Sequence, residues 1–273
     1  MNSPPTINFI MNAIKREIEK TLAFTYRNYI FLKRNIFTFF EILFWPMMGL
    51  FSIGLMGSFL GLGENMLSFL LTGTILSGVV QVTQLDVSYG VLYEIWSKSV
   101  KQIFVAPVRH YNYILGSWLV GIARGALVFA FMSFLAGKIF GFVQPPLKIM
   151  LISLAGIFLM ALLIGMTVSL SVLVFGQRID IIAWSLTVML MLVCGIYYPV
   201  SFLPAPVAAI AKLIPLTYFL EYFRVPYGFH SSLGSPLLKG FGLLAAYLVI
   251  LYGFIVMAYR RSRRSGAILR LSE

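Results

Sequence analysis

Long uninterrupted apolar runs alternate along the chain with short polar or basic stretches. Six runs, 42–63, 65–91, 111–137, 149–175, 181–200 and 240–259, reach about the 20 residues a helix needs to cross a hydrocarbon core of about 30 Å. Only the third carries a charge well inside it, Arg124, and the second passes through Asp86 before it ends. Lipid offers the backbone no hydrogen-bond partners, so runs this long predict helices rather than barrel strands.

Three stretches are not plain spans. Near the N-terminus, Met11, Ile14, Ile18, Leu22, Tyr26 and Tyr29 recur at helical spacing, with Lys15, Arg16, Glu19, Lys20 and Arg27 beside them. This pattern predicts an amphipathic helix in the membrane interface, either a simple basic anchor or a docking element. Between the second and third runs, Trp96, Val100 and Phe104 form an apolar row at i, i+4, i+8, with Tyr93, Glu94, Lys98 and Lys101 around it. Pro107 then stops the helix. That short helix could rest on the membrane surface or present a knob to a partner. The third stretch follows the fifth run. Six of the twelve prolines fall between Pro199 and Pro236, cutting it into the short apolar pieces 207–214 and 216–225, broken at Pro215. Pieces so short can dip into a membrane only where protein covers their ends, which predicts re-entrant helices capping the bundle. The expected class is an all-α membrane protein with six transmembrane helices. Its expected parts are an N-terminal amphipathic segment (1–36), a transmembrane domain (37–260) and a basic tail (261–273).

Composition excludes a water-soluble domain. The 273 residues are 60% hydrophobic and only 11% charged, with a mean hydropathy of +0.91. Soluble domains run near 45–50% apolar and about 25% charged. The formal charge of +12 does not suggest nucleic acid, because the basic residues sit between apolar runs. Fifteen Lys and Arg residues fall in the N-terminal stretch, the second and fourth loops and the tail, and five in the loops between. The positive-inside rule then places both termini in the cytoplasm, with six spans consistent. The first 36 residues hold Glu17, Glu19 and six basic residues and carry no signal-peptide pattern.

Catalytic chemistry is scarce. The single cysteine, Cys194, precludes an internal disulfide, and His110 and His230 are expected on opposite sides of the membrane. No GxxxxGK[ST] phosphate loop and no GxSxG occur. An enzyme is not expected, and neither is a resident cofactor or metal. The membrane-level ionisable groups are Glu41, Asp86 and Arg124, which read as either a structural pairing or a pathway feature. No row of deep carboxylates or histidines suggests a proton relay.

The order of parts resembles the permease subunits of ABC-2 type transporters, the group of drug, nodulation-factor and polysaccharide exporters. The resemblance rests on the amphipathic N-terminal helix, on Phe44-Trp45-Pro46 in the first run and on the amphipathic loop helix. It rests further on Gly195-Ile-Tyr-Tyr-Pro-Val-Ser-Phe-Leu-Pro204 and on Ile214-Pro-Leu-Thr-Tyr-Phe-Leu-Glu-Tyr-Phe-Arg224. It implies a permease pair, most simply a homodimer, in the inner membrane with two cytoplasmic ATPase subunits that carry the ATP and Mg. It implies ATPase contact at Tyr93, Glu94, Trp96, Lys98 and Lys101, supported by Lys15, Glu19 and Arg27. It also implies an outer re-entrant cap with Pro199, Pro204, Pro215, Glu221 and Arg224. Gln81, Gln84, Thr187, Tyr197 and Tyr198 would then line a pathway along the dimer seam, or else make ordinary interhelical hydrogen bonds. Two other readings stay open: a secondary transporter or channel, and a membrane assembly subunit that transports nothing.

Overall fold

The structure, a computed structural model, describes residues 5–34, 36–96, 108–175, 181–229 and 233–265. Regular structure among these residues is helical throughout. The elements are α1 (Pro5–Arg34), α2 (Ile36–Phe59), α3 (Glu64–Trp96), α4 (His110–Phe140), α5 (Leu147–Phe175), α6 (Ile181–Val193), α7 (Ala205–Ala211), α8 (Pro215–Arg224) and α9 (Pro236–Ser265). Five are long and apolar enough to cross a membrane: α2 over Phe40–Phe59, α3 over Glu64–Gly90, α4, α5, and α9 over Pro236–Arg261. The pair α7–α8, bent by 90°, passes the same test only when taken together. The all-α membrane architecture expected from the apolar runs is therefore present, with the bent pair where the prolines cluster.

The fifth run behaves differently from its neighbours. Its helix, α6, stops after 13 residues at Val193, about 20 Å of rise. Gly195 then takes φ 74°, a left-handed turn that releases the chain into irregular backbone ahead of Pro199. Near the other boundaries the helices overrun the apolar runs: α3 continues to Trp96 and α9 to Ser265. The predicted row Trp96, Val100, Phe104 lies mostly outside the described residues.

The central element is α3. It packs against α2, α4, α5, α6 and α8, and 72% of its apolar window is buried, against 28% for α2 and 11% for α9. Leu71, Ile75, Leu76 and Val79 join Leu50 of α2, Val128 of α4 and Ile157 of α5 in the main core. The outlying helices keep apolar side chains on the outside, such as Phe59 and Trp45 on α2 and Val249 and Met257 on α9, which suits a lipid solvent.

Both ends of the described chain lie at one end of the bundle. The His110 ring at the start of α4 sits 5.3 Å from Tyr252 and 5.5 Å from Tyr259, near the end of α9, and α1 lies along the first turns of α4. The α7–α8 pair closes the opposite end.

Candidate functional site

At the basic end, α1 docks on α4 through its polar face. The apolar row found in the sequence is not the contact face: Met11, Ile14, Ile18, Leu22, Tyr26 and Tyr29 are each more than half exposed. Glu17, Thr21, Thr25 and Asn28 face inward instead. Tyr111 OH donates to Glu17 Oε2 (2.8 Å), as does Asn112 Nδ2 (3.2 Å). Thr25 Oγ1 donates to Gly116 O (3.2 Å) and Asn28 Nδ2 to Ser117 Oγ (2.9 Å). Gly116 permits this approach, because a Cβ there would lie 2.6 Å from Phe24 Cβ and 2.9 Å from Thr21 O. These inward residues were not singled out from sequence. The signal was a second row, Glu17, Thr21, Thr25 and Asn28, at i, i+4, i+8, i+11 beside the apolar one.

Hydrogen bonds from Lys20, Tyr111 and Asn112 hold the Glu17 carboxyl down to a pKa of about 2, against a usual value near 4.5. A depressed carboxylate contributes to docking fully above its unfolded pKa and progressively less as the pH falls through the folded one. Protection of α1 amides, measured relative to their intrinsic exchange rate at each pH, should therefore be high at pH 7 and fall between about pH 4.5 and pH 2. The Glu17→Gln variant should already exchange faster at neutral pH and show little further change in that window. Identical profiles for the two proteins would remove Glu17 from the docking contact.

Two turns beyond Ser117 on α4, Arg124 Nη1 donates to Asp86 Oδ1 across the α3–α4 contact. The two side chains retain 19% and 11% exposure. Sequence left open whether these groups meet; they form an ion pair. Glu41 stays exposed at the start of the apolar part of α2. Around the pair, α3 presents a run of buried polar groups. Thr83 Oγ1 donates to Gly121 O (3.1 Å), Gln84 Nε2 to Ala183 O (2.9 Å), and Ser88 Oγ to Gln84 Oε1 (3.0 Å). Gln84 and Thr187 are fully buried, Gln81 partly so, and Tyr197 is 43% exposed. Thr187 Oγ1 donates to Ala183 O on its own helix, and Tyr198 OH to Leu192 O. Within one chain, then, the Gln84 amide ties α3 to α6, while the partly exposed Tyr197 reaches Ser77 of α3.

The cap at the other end satisfies its own backbone. The last carbonyls of α7 accept from the turn that follows, Ala208 O from Lys212 N, Ile210 O from Leu213 N and Ala211 O from Ile214 N, and side chains add to this. Thr217 Oγ1 donates to Ala211 O (2.9 Å), Tyr218 OH to Lys212 O (2.8 Å) and Tyr247 OH, from α9, to Leu213 O (3.0 Å). Pro215 stands at the first turn of α8, where its missing N–H costs nothing. Pro204 likewise precedes α7, and Pro199 precedes a 3-10 turn at Val200–Phe202. Arg224 is 2% exposed. Its Nη1 donates to Gly195 O (2.7 Å), its Nη2 to Phe69 O (3.3 Å) and Ile196 O, and its guanidinium lies 3.6 Å from the centre of the Phe69 ring. This cation therefore caps the break after α6 and joins it to α3. The approach needs Gly73, where a Cβ would fall 2.0 Å from Ile196 O. Glu221, one turn earlier on α8, is partly buried.

Of the residues expected to meet a partner, Tyr93 is 42% exposed and stacks on Phe31 of α1 (ring centroids 6.4 Å apart, 10° between planes). Lys15 and Glu19 form an exposed i,i+4 pair (4.0 Å), and Arg27 covers the Phe24 ring at 4.9 Å. Glu94 and Trp96 lie on the last turns of α3; Lys98 and Lys101 fall outside the described residues. The α3 terminus and α1 thus meet at the basic end.

No protein-family model matches the chain. It is 27% identical over 202 residues to the inner membrane transport permease YadH of Escherichia coli (strain K12), a match covering 70% of this chain and 73% of that one. The YadH permease of Shigella flexneri matches over the same lengths at the same identity. An uncharacterized protein of Archaeoglobus fulgidus is 42% identical over 55 residues, 20% of this chain and 86% of that protein. The chain is thus a helical, multi-pass membrane protein with distant similarity to a transport permease.

Proposed function

We propose that this chain is the membrane permease subunit of an ABC-2 type exporter. In this reading it lies in the inner membrane with both termini cytoplasmic, and it moves a drug-like, lipid or glycan substrate with energy from a separate ATPase. Two permease chains pair in the bilayer over two ATPase subunits, which hold the ATP and Mg. The observation that carries the reading is the likeness to YadH over 70% of the chain. The meeting of α1 with the α3 terminus at the basic end and the bent α7–α8 pair at the other support it. ATP-driven closure of the partner would press on the segment after α3 and on α1, shifting the permease pair between inward- and outward-open packings.

The test is co-expression with a Walker-motif ATPase encoded beside it. The two should co-purify, and export in vesicles should require both. Reversing Glu94 and Lys98 together should cut ATP-coupled export at least about tenfold, the scale of breaking an interfacial charge contact. Intact partner binding and transport in that double variant would defeat the coupling assignment. Gradient-driven export by the chain alone would defeat the reading as a whole.

A further inference from the structure

Between α1 and α4 run two cavities of about 830 and 890 Å3 that share Leu22 and Leu119 as walls. The larger one reaches from Leu22 to Lys33 on α1 and as far as Leu127 on α4. Its walls are mainly apolar, yet two cations line it, Lys33 and Arg124, with no carboxylate among its lining residues. Arg124 gives Nη1 to Asp86, but its buried Nε finds no acceptor among the described residues. Tyr26 and Tyr29 stand at its rim, 65% and 53% exposed.

We propose that this cavity binds an anionic phospholipid. The phosphate lies against Lys33 and the free edge of the Arg124 guanidinium, and an acyl chain follows Leu119 and Leu127. Asp86 already supplies the counter-charge of Arg124, so the charge without a carboxylate in this apolar lining is that of Lys33, and a further anion is favoured beside it. Phosphate supplies one with acceptors that suit a guanidinium edge. Rim tyrosines sit naturally at headgroup level, and the exposed apolar row of α1 leaves the cavity open to the bilayer side. Charge complementarity thus selects an anionic lipid over a zwitterionic one. The inference goes beyond the exporter reading and holds with or without an ATPase partner.

Native mass spectrometry of the full chain in detergent tests it. Phosphatidylglycerol and phosphatidylcholine with the same acyl chains are titrated in parallel. Each basic residue near a membrane surface favours anionic lipid by about fivefold, so the intact chain should retain phosphatidylglycerol at least about fivefold better. Lys33→Gln should lower that preference by about fivefold, and Ala123→Phe, which fills the cavity, should abolish it. Inorganic phosphate at the same concentration should not displace the lipid. Four results would overturn the proposal: equal retention of both lipids, a preference that survives in both variants, displacement by phosphate alone, or an Ala123→Phe chain whose only change is its dimerisation. The last would make the cavity an interface between copies.

Discussion

Replacing Arg224 with leucine should loosen the α7–α8 cap and open Cys194 to thiol reagents. The carbonyls of Gly195 and Ile196, in irregular backbone, depend on that guanidinium, while Phe69 O inside α3 accepts from it in addition, and each buried acceptor left unmet costs about 1–3 kcal/mol. Summed with allowance for relaxation, the loss should be roughly 2–5 kcal/mol. Cys194, the only cysteine, is 1% exposed and adjoins Gly195, which makes it a built-in reporter. A small membrane-permeant maleimide should label the intact protein slowly and the Arg224→Leu protein at least about tenfold faster, as a cap opening lowered by more than 1.4 kcal/mol requires. Arg224→Lys keeps the charge but not the fork that reaches several carbonyls, and should fall between. Equal labelling of all three proteins would show that the cap is held by α8 packing alone.

The second large effect concerns Asp86 and Arg124. Removing one member of a buried ion pair strands the other, at about 3–5 kcal/mol, whereas removing both with apolar groups of similar size is often close to neutral. Asp86→Leu alone should therefore lower the melting temperature in detergent markedly. Asp86→Leu combined with Arg124→Leu should recover most of the loss. The non-additivity is the diagnostic feature. If the double variant were as damaged as the two single losses added together, the two side chains would not depend on each other.

The apolar runs made most of the helical framework legible, because a run of 20 or more apolar residues has few other stable outcomes in lipid. The cap was legible for a different reason. Pro199, Pro204 and Pro215 forbid a continuous helix, and the pieces between them are too short to span. Less legible was the direction in which each helix turns. The apolar row of α1 predicted a helix at the membrane interface but not which of its remaining faces meets the bundle, and the docked face is the one with Glu17, Thr21 and Asn28. The packed face of α3 was hidden too: its buried side carries Thr72, Ser77, Thr83 and Gln84, which periodicity rules for water-soluble helices would place outside. The Asp86–Arg124 pair also needed the structure, since 38 residues separate its members. The resemblance placed Arg224 in the cap but did not say what its guanidinium does there. Its role as a carbonyl cap depends on the early stop of α6, and local sequence fixes that stop only through Gly195.

The bond from Gln84 to the Ala183 carbonyl has a consequence for biosynthesis. Those residues lie 99 positions apart, and ribosomes add about 5–20 residues each second. For roughly 5–20 s, α3 must wait in or beside the bilayer with a side-chain amide whose final acceptor has not yet been made. Its mean hydropathy of 1.6, against 2.6 for α5, makes release into lipid less favourable during that wait. The nascent chain is therefore most exposed to quality control between the emergence of α3 and that of α6.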